Sequence, residues 1–339
     1  RRSEQPRPRA AATAERSMAV LVPSIEGRYP MHLKATGALL LDSDGAFERL
    51  EGEAVPDLLA RLRARSIDIL TPDYKTAVAC FGTDAIPSGR ALDFKTAHYL
   101  LHPDMASHSP WEIIPGFDSM PPEDRAARMA SEYGALESQL AGYQGLTELY
   151  RGLDLPLIPV LVEMEQHGIA CSLERFGATE SDLSERLSVI EEQVALKAGE
   201  TINLNSPKQV AWLLFEKLGL PHGKRTKTGF STDISVLEGL AALGPPWSET
   251  PALLIEHREL SKMLSGFVQP LTRAAEAEGG VIHGIFEPAV TGTGRLSSRE
   301  PNLQNLPTFG EWARRVKEGL APHGEGRVFV SADYSQIEL

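Results

Sequence analysis

One aspartate in this sequence stands at the end of an apolar run, a natural place for a metal ligand. Asp333 follows "VFVSA" and precedes "YSQIEL". A carboxylate there can bind a hard divalent cation such as Mg²⁺. One aspartate rarely holds a catalytic metal alone, and most aspartates after apolar runs only end a strand. The segment therefore indicates a metal site only if other motifs support it.

A second informative stretch is a basic cluster in an acidic protein. The formal net charge is −12, which by itself argues against a nucleic-acid partner. Electrostatic steering depends on local charge, however. Between Asn203 and Phe230 the chain has one acidic residue, Glu216, and five basic ones: Lys208, Lys217, Lys224, Arg225 and Lys227. This stretch predicts a positive patch.

The start of the same stretch carries clear helix signals. In "NSPKQVAWLLFEKLG", Ser206 is the expected N-cap, Pro207 occupies the first helical position and Gln209 completes a capping box. Gly219 is the expected end of the helix. Free amides and the positive dipole end at such a helix start suit a phosphate group.

Length and composition indicate two or three ordinary globular domains. The chain has 339 residues, of which 42% are hydrophobic and 24% charged. No run of 18 or more apolar residues occurs, so we expect no transmembrane helix and no membrane partner. Cys80 and Cys171 match no metal or redox spacing and fit a reduced cytosolic setting. Residues 1–17, rich in Arg, Pro and Ala, are expected to form a disordered leader or linker.

Alternating strand and helix patterns begin at Met18. "MAVLV" and "GALLLDSDGAFERL" predict strands, the second a hairpin that turns on Asp44-Gly45. "VPDLLARLRAR" predicts a helix, "IDIL" a strand and "DFKTAHYLL" a further helix. This alternation predicts a layered α/β domain over residues 18–138. The Pro-rich segment "HSPWEIIPGFDSMPPEDR" is expected to form a surface excursion, and a long helix to begin near Pro122.

Residues 139–280 have helical patterns almost throughout. Leu183, Leu187, Ile190 and Val194 fall on one stripe of a long helix. Further helices are expected from Thr232 and through "PALLIEHRELSKMLSGFV". Over residues 281–339 the pattern changes to strands in "VIHGIFEPAV" and "GRVFVSADYSQIEL", joined by a polar loop with a short helical possibility. The final strand needs sheet neighbours that little remaining chain can supply.

Two of these segments together closely resemble the start of the palm of family A DNA polymerases, the bacterial polymerase I type. They are "TGTGRLSSREPNLQNLP" and "VFVSADYSQIEL". Upstream, "INLNSPKQVAWLLFEKLGLP", "KRTKTGFSTDISVLEGL" and "HRELSKMLSGFV" resemble the thumb of that family in the right order. The resemblance implies an α/β exonuclease-like (ribonuclease H-like) domain at 18–138, a mainly α-helical thumb at 139–280 and an incomplete α+β palm at 281–339.

The resemblance implies a DNA-directed DNA polymerase of replication or repair, which joins deoxynucleoside triphosphates to the primer 3′ end of primer–template DNA. Such enzymes use two Mg²⁺ ions. Asp333 matches the first metal-binding carboxylate, and the Tyr334 main-chain carbonyl can add an oxygen ligand. Glu338 matches the position that screens the sugar 2′ carbon, and Ser335 and Gln336 lie near the same nucleotide pocket. A bacterial cytoplasmic location follows from the same resemblance.

Arg295 resembles the residue that reaches the minor groove at the primer terminus. There it can read acceptors shared by every correct base pair, which is a check of shape and not of sequence. Gly292 and Gly294 favour close approach of the backbone to a ligand. A surface arginine with a solvated end is the alternative. Other DNA contacts that the resemblance implies in this region are Ser297, Gln304 and Asn305.

The predicted thumb offers contacts to the DNA backbone without sequence preference. Arg258, Lys262 and Ser265 fall on one helical face, although such faces are more often only solvated. The thumb residues predicted to bind DNA are Asn205, Ser206, Lys208, Lys224, Arg225, Lys227, Thr228, Arg258 and Lys262.

The sequence departs from the family where proofreading chemistry would lie. That chemistry needs several carboxylates around two metals, beginning with an Asp-x-Glu pair, and no Asp-x-Glu occurs in the sequence. Pro23 and Ile25 stand at about the matching places, and the second and third carboxylate positions fall near Lys75 and Tyr133. We therefore expect residues 18–138 to form a scaffold that does not cleave DNA.

Other departures concern the polymerase site. Phe309 stands where many relatives carry an arginine that faces the triphosphate, and Arg314 and Arg315 could compensate. The family's fingers helix and the His-Asp-Glu segment with the second catalytic aspartate are not in the sequence. We therefore expect this chain alone to be inactive. Three explanations are open, namely a truncated product, a proteolytic piece or one half of a split polymerase. We favour the split or nicked version, in which a second polypeptide supplies the fingers and the remaining palm.

Two other functions remain open. A non-catalytic fragment could hold duplex DNA through the thumb without doing chemistry. An exonuclease has little support, because the carboxylates are missing.

Overall fold

The computed structural model describes residues 17–42, 44–222, 225–226 and 229–335, which fall into two compact units. The first unit ends at His167 and also includes Ile285–Arg299. The second comprises Gly168–Gly284 and the chain from Glu300 onwards. This grouping differs from the three expected domains because residues 139–167, expected in the thumb, and residues 285–299, expected in the palm, both pack with the α/β unit. The identification of exonuclease-like, thumb and palm parts stays a prediction.

The first unit is built on a five-stranded mixed sheet. Its strands are β1 (Met18–Glu26), β2 (Lys34–Leu41), β3 (Phe47–Glu51), β4 (Asp68–Thr71) and β5 (Ala91–Asp93), in the order β3-β2-β1-β4-β5. β1, β2 and β3 are antiparallel, whereas β4 and β5 run parallel to β1. The predicted hairpin is confirmed: Asp42 Oδ1 accepts the amides of Asp44 and Ala46 at 2.9 and 2.8 Å, and Gly45 has a φ of 83°.

Helices pack around this sheet. They are α1 (Val55–Ala64), α2 (Tyr74–Phe81), α3 (Phe94–Leu101), α4 (Pro110–Ile113), α5 (Pro122–Ala141), α6 (Gln144–Leu149) and α7 (Leu155–His167). Asp73 and Asp93 end the chain segments before α2 and α3, and their carboxylates cap these helices. The expectation of a surface excursion before α5 is wrong, because Ile114 and Phe117 are buried in the core.

The second unit is mainly helical. Its helices are α8 (Leu173–Ala198), α9 (Pro207–Ala211), α10 (Ile234–Ala241), α11 (Glu249–Met263), α12 (Gln269–Ala277) and α13 (Glu311–Gly319). The predicted stripe of α8 is confirmed, since Leu183, Leu187, Ile190 and Val194 all lie in the core of this unit. A π-helical segment, Trp212–Lys217, continues α9 as far as the expected end near Gly219, which has a φ of 65°.

Short strands complete both units. They are β6 (Ile169–Cys171), β7 (Arg225–Thr226), β8 (Gly229–Phe230), β9 (Val281–Ile282), β10 (Ile285–Glu287), β11 (Ser297–Arg299) and β12 (Leu320–Ala321). The antiparallel sheet β12-β6-β9 belongs to the second unit, and the hairpin β10–β11 belongs to the first. The single strand expected in "VIHGIFEPAV" is thus divided, because its two halves pair with different partners. The predicted short helix after it is replaced by β11.

Among the described residues, no helix combines the length and the apolar character needed to cross a bilayer.

Candidate nucleic-acid interface

The segment that carries Asp333 contains no strand in its described part. Residues 327–335 make no sheet pairing, and the apolar side chains at 328–330 are exposed. Asp333 and Ser335 are exposed as well. The expected strand is not formed there, because a strand requires a neighbour whose N–H and C=O groups pair with its own.

Asp333 does not complete a metal site within the described residues. In that part of the chain, no group of three or more His, Cys, Asp or Glu side chains is placed to hold an ion. Mg²⁺ demands a near-octahedral set of oxygen ligands, and the Asp333 carboxylate with the Tyr334 carbonyl supplies too few. The described residues by themselves do not fit Mg²⁺. Gln336 and Glu338 lie outside the described residues.

The start of α9 has the expected capping residue and an altered capping box. Ser206 Oγ accepts the Gln209 amide at 3.4 Å. The Gln209 side chain accepts the amide of Asn203 at 2.6 Å, whereas the Ser206 amide donates to the Asn203 carbonyl at 3.0 Å. The Gln209 side chain therefore completes the capping box with the Asn203 amide instead of the Ser206 amide. Asn205 and Lys208 are exposed beside this turn, and their contact with phosphate stays a prediction.

Most of the predicted basic loop, namely Lys224, Lys227 and Thr228, lies outside the described residues. Arg225 belongs to β7, where its backbone pairs with Phe230 of β8. The DNA contacts of this loop stay predictions.

The two basic residues predicted on α11 have different surroundings. Arg258 is half-buried, and its guanidinium donates to the carbonyl of Thr232 and, at 3.2 Å, to the Thr232 hydroxyl. Lys262, one turn later, is exposed. Ser265 follows the end of α11, and its hydroxyl donates to the backbone one turn earlier at 2.7 Å. Arg258 thus ties α11 to the chain before α10, and Lys262 is the better placed of the two for a backbone phosphate.

Arg295 lies exposed in the loop between β10 and β11. Its carbonyl accepts the Thr291 hydroxyl at 2.7 Å. Gly294 has a φ of 78°, a conformation that favours glycine. A Cβ at Gly292 would lie 3.3 Å from Asp104 Oδ1, so the close approach at this position is to the protein itself.

The other predicted contacts of this region are distributed over both units. Ser297 pairs with Glu287 across the β10–β11 hairpin in the first unit. Gln304 and Asn305 are exposed in the second unit, and the backbone amide of each donates to Asn302 Oδ1 at 3.1 Å. Asn302 therefore shapes the turn that presents these two side chains.

A buried polar network in the first unit was not predicted from the sequence. Lys75 Nζ lies 2.6 Å from Glu165 Oε1 and 2.7 Å from the Phe286 carbonyl oxygen. Glu165 also accepts the Phe286 amide and the Tyr29 hydroxyl. The only available signal was the N-cap pattern "PDYKT" before α2, which places Lys75 in the first turn but does not reveal its partners.

A second part of the network involves Lys95 at the start of α3. Its Nζ lies 3.0 Å from Asp73 Oδ2 and 3.2 Å from Glu287 Oε2. Glu287 also accepts from Arg299 across the hairpin at 2.9 Å. Burial opposes the Glu287 charge, but the ammonium groups of Lys95 and Lys75 outweigh it and lower the pKa of Glu287 to about 2. Glu287 is therefore ionised at neutral pH.

Burial acts in opposite directions on the pKa values of two further residues: it lowers that of Lys95 and raises that of Asp93. Burial disfavours the Lys95 ammonium, yet Asp73 and Glu287 raise the pKa of Lys95 above its usual value. For Asp93, burial and then the charge of Asp73 raise the pKa to about 7. Lys95 thus stays charged, while Asp93 titrates near neutrality.

None of the four positions matched to proofreading carboxylates carries an acid. Pro23 and Ile25 lie in β1, and the Ile25 side chain is exposed. Lys75 is buried in its ion pair. Tyr133 is buried, with its hydroxyl 3.2 Å from the Tyr150 hydroxyl. These side chains offer no carboxylate ligand.

Phe309 is 92% exposed. The two arginines considered as its substitutes have acidic partners within the second unit. Arg314 lies 2.8 Å from Glu318, and Arg315 lies 2.6 Å from Asp182. A role for either arginine towards a triphosphate stays a prediction.

Comparison with known sequences relates this chain to DNA polymerases. The family model described as DNA polymerase family A matches residues 173–339. DNA polymerase I of Lactococcus lactis subsp. lactis is 44% identical over 194 residues, which cover 56% of this chain and 21% of the relative. DNA polymerase I of Bacillus subtilis is 38% identical over 192 residues, which cover 57% of this chain and 21% of the relative. The chain thus spans about a fifth of the length of these curated relatives.

A solved structure is similar over nearly the whole chain. It is described as the POL domain of Pol1 from M. smegmatis in complex with DNA primer-template and dNTP. The TM-score is 0.80 at 26% sequence identity, and the similarity covers 93% of this chain and 56% of that one.

Proposed function

This chain belongs to DNA polymerase family A, and we propose that it forms part of an enzyme that extends a DNA primer on a template in replication or repair. The observation that carries the proposal is the family match over residues 173–339, which spans both "TGTGRLSSREPNLQNLP" and the Asp333 segment. The similarity to a polymerase domain described with primer-template and dNTP supports the same partners. A bacterial cytoplasmic location is part of this proposal.

Asp333 is the residue we assign to the reacting end of the primer. We assign its carboxylate as one ligand of a Mg²⁺ site and the main-chain carbonyl oxygen of Tyr334 as a second ligand. The described residues do not fit the ion alone, so no step of the reaction is assigned to a metal held by this chain. Ser335, Gln336 and Glu338 are assigned to the incoming nucleotide.

The DNA contacts in the proposal divide into a primer-terminus group and a backbone group. Arg295 reads the minor groove at the primer terminus. The exposed loop residues Gln304 and Asn305 contact the template side. Exposed Lys208 and Lys262, with the basic loop around Arg225, bind phosphates without sequence preference.

Completion of the active site requires the fingers and the second aspartate, which this sequence does not contain. We assign them to a second polypeptide or to further residues of the same protein. The positions of Pro23, Ile25, Lys75 and Tyr133 offer no carboxylates, which supports loss of proofreading.

Primer extension tests the proposal. The complete polymerase that contains this chain should incorporate the nucleotide complementary to the template and should not shorten a labelled 3′ end. Duplex binding without incorporation under any divalent cation would favour the binding-only alternative. Shortening of the 3′ end would revive the exonuclease interpretation.

A further inference from the structure

The hairpin β10–β11 is joined to the α/β unit through buried polar groups. Both belong to the same compact unit. The two strands pair over Ile285–Arg299, Phe286–Ser298 and Glu287–Ser297. The loop that they support carries Arg295, the residue assigned to the primer terminus.

Lys75 and Glu165 hold the backbone of one hairpin residue at both of its polar groups. The Phe286 carbonyl accepts from Lys75 Nζ at 2.7 Å, and the Phe286 amide donates to Glu165. Lys75 Nζ and Glu165 Oε1 also pair with each other at 2.6 Å, and the two side chains are 6% and 0% exposed. The position of the Phe286 peptide is therefore fixed by two charged groups of α2 and α7.

A second pair of contacts fixes the rest of the hairpin. Glu287 lies 3.2 Å from Lys95 and 2.9 Å from Arg299, so one carboxylate joins α3 to both strands. Glu287 is also ionised at neutral pH because its pKa is lowered to about 2, by cations that outweigh its burial.

The loop itself is bonded to α3. Tyr99, on α3, donates its hydroxyl to the Thr291 carbonyl at 2.6 Å. Thr291 in turn donates its own hydroxyl to the Arg295 carbonyl at 2.7 Å. Two hydrogen bonds thus lead from a buried helix residue to the backbone of Arg295. Asp104 lies against Gly292 in the same loop, where an added Cβ would come within 3.3 Å of its Oδ1.

A gain in stability alone does not explain why the protein contains such a buried network. A buried ion pair loses about as much through desolvation as it gains, and apolar residues of the same volume often stabilise a protein as well. Charged hydrogen bonds to a backbone amide and carbonyl instead specify one geometry. The network lies in the first unit, yet it determines where a loop of the predicted palm is held.

We propose that Lys75, Glu165 and Tyr99 are positioning residues that hold the loop of residues 288–296, so that Arg295 meets the primer terminus. The inference rests on the proposed function and adds to it a role for the α/β unit. A domain that carries no proofreading carboxylates would thereby contribute to how strictly the polymerase requires a correctly paired primer end.

The test measures kcat/KM for extension of a matched and of a mismatched primer terminus by the complete polymerase. Lys75→Met removes the ammonium and keeps most of the side-chain volume. Tyr99→Phe removes only the hydroxyl that bonds Thr291, so it folds with little disturbance. Arg128→Met is the control, since Arg128 is half-exposed and its ion pair among the described residues is with Glu132, one turn away on α5. We expect the ratio of matched to mismatched kcat/KM to fall roughly tenfold in both variants, because a small misplacement near the reacting end of the primer lowers catalytic efficiency. In the control the ratio should stay unchanged.

A double variant separates positioning from general destabilisation. If Lys75 acts through Arg295, Lys75→Met should change the ratio little further in an Arg295→Ala background. An unchanged ratio in both Lys75→Met and Tyr99→Phe would overturn the inference, even if the melting temperature of Lys75→Met falls. If Lys75→Met fails to fold, Tyr99→Phe decides alone. Failure of the wild-type enzyme to extend matched primers would instead overturn the proposed function, and the positioning role with it.

Discussion

Lys75 and Glu165 form an ion pair in the first unit, with 2.6 Å between Nζ and Oε1 and with both side chains buried. Removing one partner of such a pair leaves an uncompensated charge in the protein interior. Glu165→Ala should lower the free energy of unfolding by about 3–5 kcal/mol. Urea unfolding followed by circular dichroism measures this difference.

The matched control is Glu132→Ala, which breaks the Arg128–Glu132 pair between half-exposed side chains on α5. Its cost should be about 0.5 kcal/mol or less. The double variant Lys75→Met/Glu165→Leu should recover part of the loss, because no charge of the pair is then left unpaired, while the Phe286 amide and carbonyl still lose their partners. Similar losses for Glu165→Ala and Glu132→Ala would contradict this view of the buried pair.

The core of the second unit can be tested with the same substitution at two positions of α8. Leu183 is buried, whereas Leu196 is 84% exposed. Leu183→Ala should lower the free energy of unfolding by about 2–5 kcal/mol because it leaves a cavity. Leu196→Ala should change it by about 0.5 kcal/mol or less. A large loss at Leu196 would show that this side chain is covered in solution.

A histidine cluster predicts how stability depends on pH. His98 Nδ1 lies 2.9 Å from His108 Nδ1, and the rings of His98 and His102 are 4.7 Å apart. Burial, and then the charges of His102 and His108, lower the pKa of His98 from 6.5 to about 4. Below about pH 6.5 His98 is therefore protonated in the unfolded chain, whereas in the folded protein it stays neutral until the pH approaches 4. The contribution of His98 is fully present above pH 6.5 and is lost as the pH falls towards 4.

His98→Gln should accordingly flatten the fall of the melting temperature between pH 6.5 and 4. The raised pKa of Asp93, about 7 in the folded protein, acts in the opposite direction but is common to both proteins and cancels in the comparison. Exposed His32 provides the control substitution, His32→Gln. Parallel curves for wild type and His98→Gln would refute this assignment.

The proposed thumb contacts predict two kinds of outcome for basic residues. Lys208→Ala and Lys262→Ala should weaken duplex binding alike for all sequences, and each should reduce the slope of log K against log salt by about one. Arg258→Ala should mainly lower stability, because its guanidinium bonds Thr232. Fluorescence anisotropy at several salt concentrations measures the slopes. A loss confined to one DNA sequence would contradict backbone contact.

Local signals in the sequence predicted the elements well where the structure is decided locally. The Ser206 cap, the Asp44-Gly45 turn and the buried stripe of α8 all follow from spacing over a few residues. Directly bonded residues of the Lys75 network are as far apart in sequence as Lys75 and Phe286, which are 211 positions apart, so no local pattern could bring them together.

Two errors have a similar physical cause. The strand expected around residues 328–334 is not formed, because a strand depends on neighbours that periodicity does not reveal. The segment before α5 looked like a surface loop from its prolines, yet tertiary packing buries Ile114 and Phe117. For the site, the sequence identified candidate residues through resemblance, but it could not foresee that Arg258 is held by Thr232.

The most direct test of the account is the rate of a single nucleotide addition by the complete polymerase with Asp333→Asn, measured by rapid quench at saturating DNA. Glu325→Gln, a neighbouring exposed position, serves as the control. We expect the rate to fall roughly a hundredfold or more in Asp333→Asn, with duplex affinity unchanged. A rate equal to that of the wild type would contradict it.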